Sequence, residues 1–201
     1  MLRVGLTGGY ASGKSVIADE LVRLGCHLIR ADDLGHQTLL PGGEAYQPAI
    51  DAFGRGILKE DGSIDRSRLG AIVFHDPQRL AQLTSIVHPA VFRRQEELMQ
   101  RYQAQDPGGI VVVEVAIMVE TGSHVKYEKL IVAACTPEQQ VERGMKRDGS
   151  SREQVLDRIA RQLPLADKIK LADFVIDTSG TREETLQQTR SVYETLRSSQ
   201  K

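Results

Sequence analysis

A glycine-rich segment that ends in a lysine and a serine is the part of the chain best suited to chemistry. Residues 8–15 are Gly-Gly-Tyr-Ala-Ser-Gly-Lys-Ser, which matches the G-x-x-x-x-G-K-[ST] pattern of a phosphate-binding loop. In such a loop the backbone N–H groups point at phosphate oxygens, Lys14 reaches the outer phosphates, and the Ser15 hydroxyl can hold Mg²⁺. The alternative is a glycine-rich turn with an incidental lysine.

The elements predicted on either side of residues 8–15 favour the phosphate-binding loop. Leu2–Thr7 is predicted to be a short buried strand, and Val16–Leu24 a helix that Gly25 ends. The start of this helix adds the positive end of its dipole to the loop amides. We therefore predict a nucleoside triphosphate site made of Gly8, Gly9, Tyr10, Ala11, Ser12, Gly13, Lys14, Ser15 and Val16.

A carboxylate, Asp32, follows the second predicted strand, His27–Arg30. Ligands of open α/β sheets bind beyond the carboxyl ends of the strands, so we expect Asp32 on the same rim as Lys14. There it could accept the proton of a hydroxyl group that attacks the γ-phosphate. An aspartate at this place could equally cap the following helix, and position alone does not separate the two roles.

Two glutamates follow the apolar run of the clearest predicted strand, Ile110–Val115, which is continuous and β-branched like a strand covered on both faces. Glu114 could hold the water shell of Mg²⁺, as acidic residues after a central strand often do in P-loop proteins. The alternative for Glu114 is an acidic surface residue. For Glu120 the sequence favours neither role.

A basic cluster follows the strand predicted at Leu130–Ala134. If this segment closed over a nucleotide, its charges would stabilise the transferring phosphoryl group and exclude water. The alternative is a solvated helix with ion pairs to Glu153 and Asp157, on which Val155, Leu156, Ile159 and Leu163 form the apolar stripe. The cluster consists of Arg143, Lys146, Arg147, Arg158 and Arg161.

The remaining patterns complete a doubly wound α/β fold. A last strand is predicted at Phe174–Asp177, and capping boxes at Ser150–Glu153 and Thr181–Glu184 are predicted to begin helices that run to about Leu163 and Arg197. Residues 41–89 show turn signals and short amphipathic helices, and Pro89 is predicted to begin a helix that runs to about Tyr102. Parallel strands joined by helices give this fold class.

Composition excludes several classes of protein. The 201 residues carry 26 basic and 27 acidic side chains, a net charge of −1, so no global field attracts nucleic acid or an anionic membrane. No apolar run is long enough to span a bilayer, and we expect no signal peptide because the first residues lead directly into a predicted strand. Cys26 and Cys135 lack metal spacing, so we expect two reduced thiols in a cytoplasmic protein.

The chain resembles the dephospho-CoA kinase family along essentially its whole length. The resemblance lies in many short segments that occur in the right order. They are Leu6 to Ser15, Ala31-Asp32, Phe53-Gly54, Asp61-Gly62, Ile64-Asp65-Arg66, His88-Pro89, Val115 to Glu120, Arg143, Arg147-Asp148, Glu153, Arg158, Gln162 and Ala172 to Asp177. The chain departs from the family pattern at Arg30, Gly35-His36, Ala116 and Thr178.

This resemblance implies transfer of the γ-phosphate of ATP to the ribose 3′-hydroxyl of dephospho-CoA, which gives CoA and ADP in the last step of CoA synthesis. It implies one domain over residues 1–201, a P-loop three-layer α/β/α fold with a parallel five-stranded sheet. The core would be 1–33, 108–137 and 172–201, with a helical acceptor-binding insertion of about 34–107 and a helical lid of about 138–171.

The resemblance also implies roles for individual residues. Catalysis would use Asp32, Lys14, Arg143 and Arg147; the acceptor would contact Asp32, Arg66 and His88; and Mg²⁺ would bind Ser15, with Glu114 acting through water. The expected partners are ATP and dephospho-CoA, without nucleic acid or membrane, for a monomer or weak homo-oligomer.

Two other functions remain open from the sequence. A kinase of the same fold could act on a nucleoside monophosphate, because only the middle segment separates the two acceptors. A GTP-binding switch is the second alternative, but its guanine-recognition motif N-K-x-D requires an asparagine, and the chain contains none.

Overall fold

The computed structural model describes residues 1–74 and 76–199. The strands are β1 (Leu2–Gly8), β2 (His27–Arg30), β3 (Ile110–Glu114), β4 (Lys129–Ala134) and β5 (Phe174–Asp177). The helices are α1 (Lys14–Arg23), α2 (Ala31–Thr38), α3 (Tyr46–Phe53), α4 (Arg66–Phe74), α5 (Pro77–Gln105), α6 (Pro137–Asp148), α7 (Arg152–Ala160), α8 (Leu165–Ile169) and α9 (Arg182–Ser198), with 3₁₀ turns at Arg55–Ile57 and Ser123–Lys126.

The chain divides into two compact units. One consists of Met1–Ile29 together with the described residues from Tyr102 onward, and the other is Arg30–Arg101. The first contains the sheet except for Arg30 at the end of β2, together with the phosphate-binding loop and the predicted lid, and the second is mainly helical.

The five strands form one parallel sheet in the order β2-β3-β1-β4-β5, which confirms the predicted fold class. β1 is central and pairs with β3 and β4, so that Leu6 lies beside Glu114 on one side and Ile131 on the other. This register brings the carboxyl ends of three strands to one edge, where the loop after β1 begins.

Helices cover both faces of the sheet in this unit. On one face, Ile17 and Leu21 of α1 and Leu196 of α9 pack with Val4, Leu6, Val112, Ile131 and Ile176. On the other face, Leu130 and Val132 pack with Met118, and Leu165 and Ile169 of α8 close that cluster. Residues 110–113 are fully enclosed, which is why their sequence is uniformly apolar.

The Arg30–Arg101 unit has a small core of its own. α3, α4 and the turns between them contribute Ala49, Ile50, Ile57, Ile64, Leu69 and Val73. A left-handed glycine, Gly62 (φ 79°), forms the turn that allows the isolated bridge between Leu58 and Ile64. The predicted short helices and turns of this region are thus confirmed.

The predicted start of the long helix is wrong. α5 begins at Pro77, and Pro89 lies inside it. A proline there removes the N–H that would donate to the carbonyl of Ser85, and Ser85 is exposed, so water can satisfy that carbonyl. The helix therefore continues through a residue that usually marks its start.

The predicted beginning of α7 is wrong by one residue. Ser151 caps the helix and Gln154 returns the bond, whereas Ser150 and Glu153 were the predicted pair. The Gln154 side chain can accept the N–H of the capping serine just as Glu153 was expected to. Two adjacent serines therefore allowed two capping boxes that differ by one residue. The second predicted box, Thr181 with Glu184, is confirmed.

The predicted apolar stripe of the basic helix is also wrong in part. The helix ends at Ala160, and of the stripe only Val155 is buried. Leu156 and Leu163 are exposed.

Among the described residues, no helix has the length and apolar character needed to cross a bilayer. Both cysteines are free, as expected, and burial raises the pKa of Cys26 to about 12.

Candidate active site

The loop between β1 and α1 has a backbone that only glycine permits at two positions. A Cβ atom on Gly8 would lie 2.5 Å from both the Ala133 carbonyl oxygen and the Ser12 hydroxyl. Gly13 caps α1 in the left-handed conformation (φ 85°). These two positions allow the loop to turn tightly and lead directly into the helix N-terminus.

Polar groups converge on this loop. The Lys14 ammonium donates to the Gly9 carbonyl at 2.8 Å, so the side chain folds back over the loop. The Ser12 hydroxyl is buried and has no hydrogen-bond partner among the residues that the structure describes. An unsatisfied buried hydroxyl, a lysine and a helix N-terminus together suit a bound phosphate chain.

Ser15 lies next to the acidic residue at the end of β3. Its hydroxyl donates to Glu114 at 3.5 Å, a contact that the pairing of Leu6 with Glu114 makes possible. A hydroxyl and one carboxylate fit Mg²⁺, which binds few protein ligands and completes its shell with water and phosphate. Among residues 1–74 and 76–199 there is no cluster of three or more His, Cys, Asp or Glu that could hold a metal by itself.

Thr178, which departs from the family pattern, connects Arg143 to the loop. Arg143 donates to the Thr178 hydroxyl at 3.1 Å and to its carbonyl at 2.6 Å. The same hydroxyl lies 2.9 Å from the Ser12 carbonyl and 3.1 Å from that of Ala134. A cavity of about 260 Å³ opens beside this contact, lined by Gly13, Val16, Arg143, Thr178, Gly180, Arg182 and Thr185.

Tyr10 joins the loop to the predicted lid segment, residues 138–171. Its backbone N–H donates to Gln162 at 2.7 Å, and its carbonyl accepts from Gln140 at 2.7 Å. Its hydroxyl hydrogen-bonds to Asp148, and the Arg147 guanidinium lies 4.7 Å from the centre of its ring. The lid segment therefore contacts both the backbone and the side chain of one loop residue.

Asp148 is the shared anion of this contact. It accepts from Arg147 at 2.7 Å and from Arg158 at 2.5 Å. The hydrogen bonds from Arg147 and then from the Tyr10 hydroxyl lower the pKa of Asp148 to about 2. The solvated-helix alternative predicted that Glu153 and Asp157 would pair with these arginines, whereas the observed anion lies at the end of α6.

A fully buried lysine supports the other end of the loop. The Lys168 side chain is 0% exposed and forms an ion pair with Glu120 at 2.6 Å. It donates also to the carbonyls of Ala116 at 2.9 Å and Gly8 at 3.4 Å, and Glu120 accepts the Leu163 N–H at 3.0 Å. Glu120 is therefore the counter-ion of a buried lysine that sequence reasoning did not identify.

The residues predicted to act on the acceptor lie on three helices of the Arg30–Arg101 unit. Asp32 is exposed in the first turn of α2, and the residue at the cap position is Arg30, so Asp32 does not cap this helix. Arg66 is exposed at the start of α4. His88 is partly buried on α5 against the edge of Phe92, and burial lowers its pKa.

A phosphate-binding loop between β1 and α1 of a five-stranded parallel sheet, with an arginine-bearing segment held against it, defines a P-loop kinase. The chain belongs to the dephospho-CoA kinase family, because the model of that family matches residues 2–184. The predicted family is confirmed, and the chain is a kinase of the kind that uses ATP.

Similar proteins match along nearly their whole length. The dephospho-CoA kinase of Carboxydothermus hydrogenoformans is 42% identical over 187 residues, which cover 92% of this chain and 89% of that protein. The one of Aquifex aeolicus is 39% identical over 196 residues and 98% of each chain. The solved dephospho-CoA kinase of Campylobacter jejuni superposes with a TM-score of 0.74 at 26% identity, over 99% of this chain and 98% of that one.

Proposed function

We propose that this protein transfers the γ-phosphate of ATP to the ribose 3′-hydroxyl of dephospho-CoA and releases CoA and ADP. The family match over residues 2–184 carries this proposal, because it includes the whole Arg30–Arg101 unit. The loop and lid are common to kinases with many acceptors, whereas this middle region is where acceptors are distinguished. The reaction would be the last step of CoA synthesis.

The ATP phosphates are held by the loop. Backbone amides of the loop, the Ser12 hydroxyl and the Lys14 ammonium supply the donors, while the Tyr10 amide donates to Gln162. The proposed contacts with ATP are Gly8, Gly9, Tyr10, Ala11, Ser12, Gly13, Lys14, Ser15 and Val16. Arg143 and Arg147 stabilise the charge that develops on the transferring phosphoryl group. Arg143 is already oriented by two hydrogen bonds to Thr178, which fits that role.

Mg²⁺ would be held by the Ser15 hydroxyl, with Glu114 binding its water shell. When bound, the ion neutralises charge on the phosphate oxygens. The 3.5 Å contact between these two side chains supports their joint role. Ser15 also lies at the start of α1, so the helix dipole adds to the same field.

Asp32 receives the proton in this mechanism. The 3′-oxygen of the acceptor forms a bond to the γ-phosphorus, the bond from that phosphorus to the bridging oxygen breaks, and ADP leaves. The hydroxyl proton passes to the Asp32 carboxylate. The exposure of Asp32, together with the cap position of Arg30, leaves its carboxylate available for this role. Arg66 and His88 are the proposed acceptor contacts in the same unit.

Product identification tests the proposal directly. Purified protein is incubated with ATP, Mg²⁺ and either dephospho-CoA or one of the nucleoside monophosphates, and both ADP and the phosphorylated acceptor are quantified by mass. We expect CoA as the product and the highest kcat/KM with dephospho-CoA. A preference for a monophosphate would contradict the acceptor, and selective use of GTP would contradict the donor.

Asp32→Asn separates the base from the binding residues. We expect kcat to fall by about 10²–10⁴-fold while the affinity for ATP changes little, because a base acts on the acceptor hydroxyl. Asp33→Asn is the matched control, since it removes the neighbouring carboxylate from the same exposed helical turn. Equal kcat values for the two variants would remove Asp32 from the mechanism.

A further inference from the structure

The ring of Tyr10 occupies a space that the lid segment leaves for it. Gly144 lies in the middle of α6, where a Cβ atom would be 2.5 Å from Cε1 of Tyr10 and 2.9 Å from Cγ1 of Val155. Val155 is the buried residue of α7. A helix-interior glycine lowers helix stability, so its presence here has a packing reason: it admits the tyrosine ring.

Two guanidinium groups also lie beside the ring. The guanidinium of Arg147 lies 4.7 Å from the ring centre and that of Arg158 lies 5.8 Å from it. Arg158 also donates to the tyrosine hydroxyl at 3.0 Å. Two arginines from different helices of the lid segment are therefore oriented by one aromatic side chain of the phosphate-binding loop.

These arginines are partnered and yet open to solvent. Asp148 binds both of them, but the Arg147 and Arg158 side chains are 57% and 43% exposed. A nucleotide phosphate can add to such a pair without stripping charges from a buried site. The cluster thus holds the guanidinium groups near the loop while leaving N–H donors accessible.

We propose that Tyr10 is a positioning residue that docks the lid segment on the phosphate-binding loop and orients Arg147 and Arg158 toward the nucleotide phosphates. The inference rests on the proposed function, because it assigns the two arginines to phosphoryl transfer. It adds a means by which the loop itself fixes the lid: a ring inserted beside Gly144, with its hydroxyl on Asp148.

Tyr10→Leu tests the ring and Tyr10→Phe tests the hydroxyl. For Tyr10→Leu we expect kcat to fall about tenfold with a smaller change in the KM for ATP, since the arginines remain but lose their orientation. Tyr10→Phe keeps the stacking and loses the hydrogen bond, so its effect should be smaller. Tyr193→Phe, the same chemical change on the core-packed side of α9, is the matched control and should leave kcat unchanged.

Amide hydrogen exchange measures how firmly the lid segment is held on the loop, and it needs no enzymatic turnover. In the nucleotide-free protein, the α7 amides should exchange about tenfold faster in Tyr10→Leu than in the parent or in Tyr193→Phe. Gly144→Ala should give the same increase, because the added methyl group displaces the ring while favouring the helix. Because Gly144 lies outside the loop, this variant controls for the case in which Tyr10→Leu perturbs only the loop itself.

A double-mutant cycle completes the test. Removing Arg147 in the Tyr10→Leu background should lower kcat by a smaller factor than in the parent, because the two changes act on one arrangement. Additive effects, unchanged α7 exchange, or a change in the KM for ATP alone would overturn the proposal. If the parent does not phosphorylate dephospho-CoA, the proposed function fails, but the exchange result still decides whether Tyr10 docks the lid segment.

Discussion

Two ion clusters hold the phosphate-binding loop, and they differ in almost every physical respect. At Gly8 the Lys168–Glu120 pair is buried, with the lysine 0% and the glutamate 17% exposed. At Tyr10 the arginines that meet Asp148 are about half exposed. The first cluster cannot open without leaving a charge stranded inside the protein, whereas the second can exchange its partners for water.

Because of this difference in burial, the two clusters have different roles around the loop. The buried pair joins α8, the loop after β3 and the carbonyl of Gly8, so it fixes the base from which the phosphate donors project. The exposed cluster joins α6 and α7 to Tyr10, and a solvated cluster of this kind would suit the proposed lid, which would admit ATP and release ADP. If residues 138–171 act as the proposed lid, the buried cluster is the fixed support of the loop and the exposed cluster is the contact that opens.

Among the changes made at the loop and its two clusters, Lys14→Ala should lower activity most, because neither cluster can replace the Lys14 cation. We expect kcat/KM for ATP to fall by about 10²–10³-fold with little change in stability. Lys170→Ala is the matched control: it removes an exposed lysine whose partner, Asp167, lies at 2.7 Å in the lid segment. Activity close to that of the control would contradict the loop assignment.

Lys168→Met tests the buried half of the comparison. Removing one partner leaves Glu120 charged and enclosed, so we expect the free energy of unfolding to fall by about 3–5 kcal/mol, measured by urea denaturation. Lys170→Met, which lies two residues further along the chain and breaks the exposed pair with Asp167, should cost below about 1 kcal/mol. If the two variants lose the same stability, burial is not what distinguishes this cluster.

The double variant Lys168→Met with Glu120→Gln keeps that test informative should the single one fail to fold. It removes both charges and leaves two groups of nearly native size. We expect it to be more stable than Lys168→Met alone, because no unpaired charge remains inside. Its Leu163 N–H can still donate to the glutamine oxygen, which preserves the bond that the lid segment makes there.

The comparison also explains what the sequence could and could not predict. The loop, its strand and its helix were predictable because their pattern is local: Gly8, Gly13, Lys14 and Ser15 carry backbone and charge requirements within one short segment. The five strands were predictable from apolar runs for the same reason. The confirmed elements around the loop are those whose pattern lies in neighbouring residues.

The contacts that hold the loop come from distant segments, and few of them have a local sequence pattern. Lys168 lies in a segment of mixed polar and apolar residues, between Asp167 and Ile169, and only the fold shows that it is enclosed. Gln140 gave no signal of its contact with Tyr10. Gly144 did carry a usable one, since a glycine in the interior of a predicted helix indicates that another group approaches closely. Thr136-Pro137-Glu138-Gln139 likewise carried the capping-box pattern that begins α6.

Asp148→Asn tests the exposed cluster, and we expect it to cause the smallest loss of stability among these variants. At neutral pH we expect a stability loss below about 1 kcal/mol, because the cluster is solvated. The pKa of Asp148 is lowered from 3.8 to about 2, so its contribution is present above about pH 4 and is lost as the pH falls toward 2. The difference in unfolding free energy between the parent and Asp148→Asn should therefore shrink across that window.

Asp167→Asn is the control for this titration, since its partner Lys170 is exposed and lies outside the cluster. Unfolding of all three proteins would be followed by urea denaturation from pH 5 downward, as far as they remain folded. If the difference in unfolding free energy between the parent and Asp148→Asn stays constant with pH, the charge of the Asp148 carboxylate does not hold the lid segment on the loop. If Asp148→Asn lost as much unfolding free energy as Lys168→Met, the exposed cluster would hold the loop as firmly as the buried one. The proposed difference between the two clusters would then be wrong.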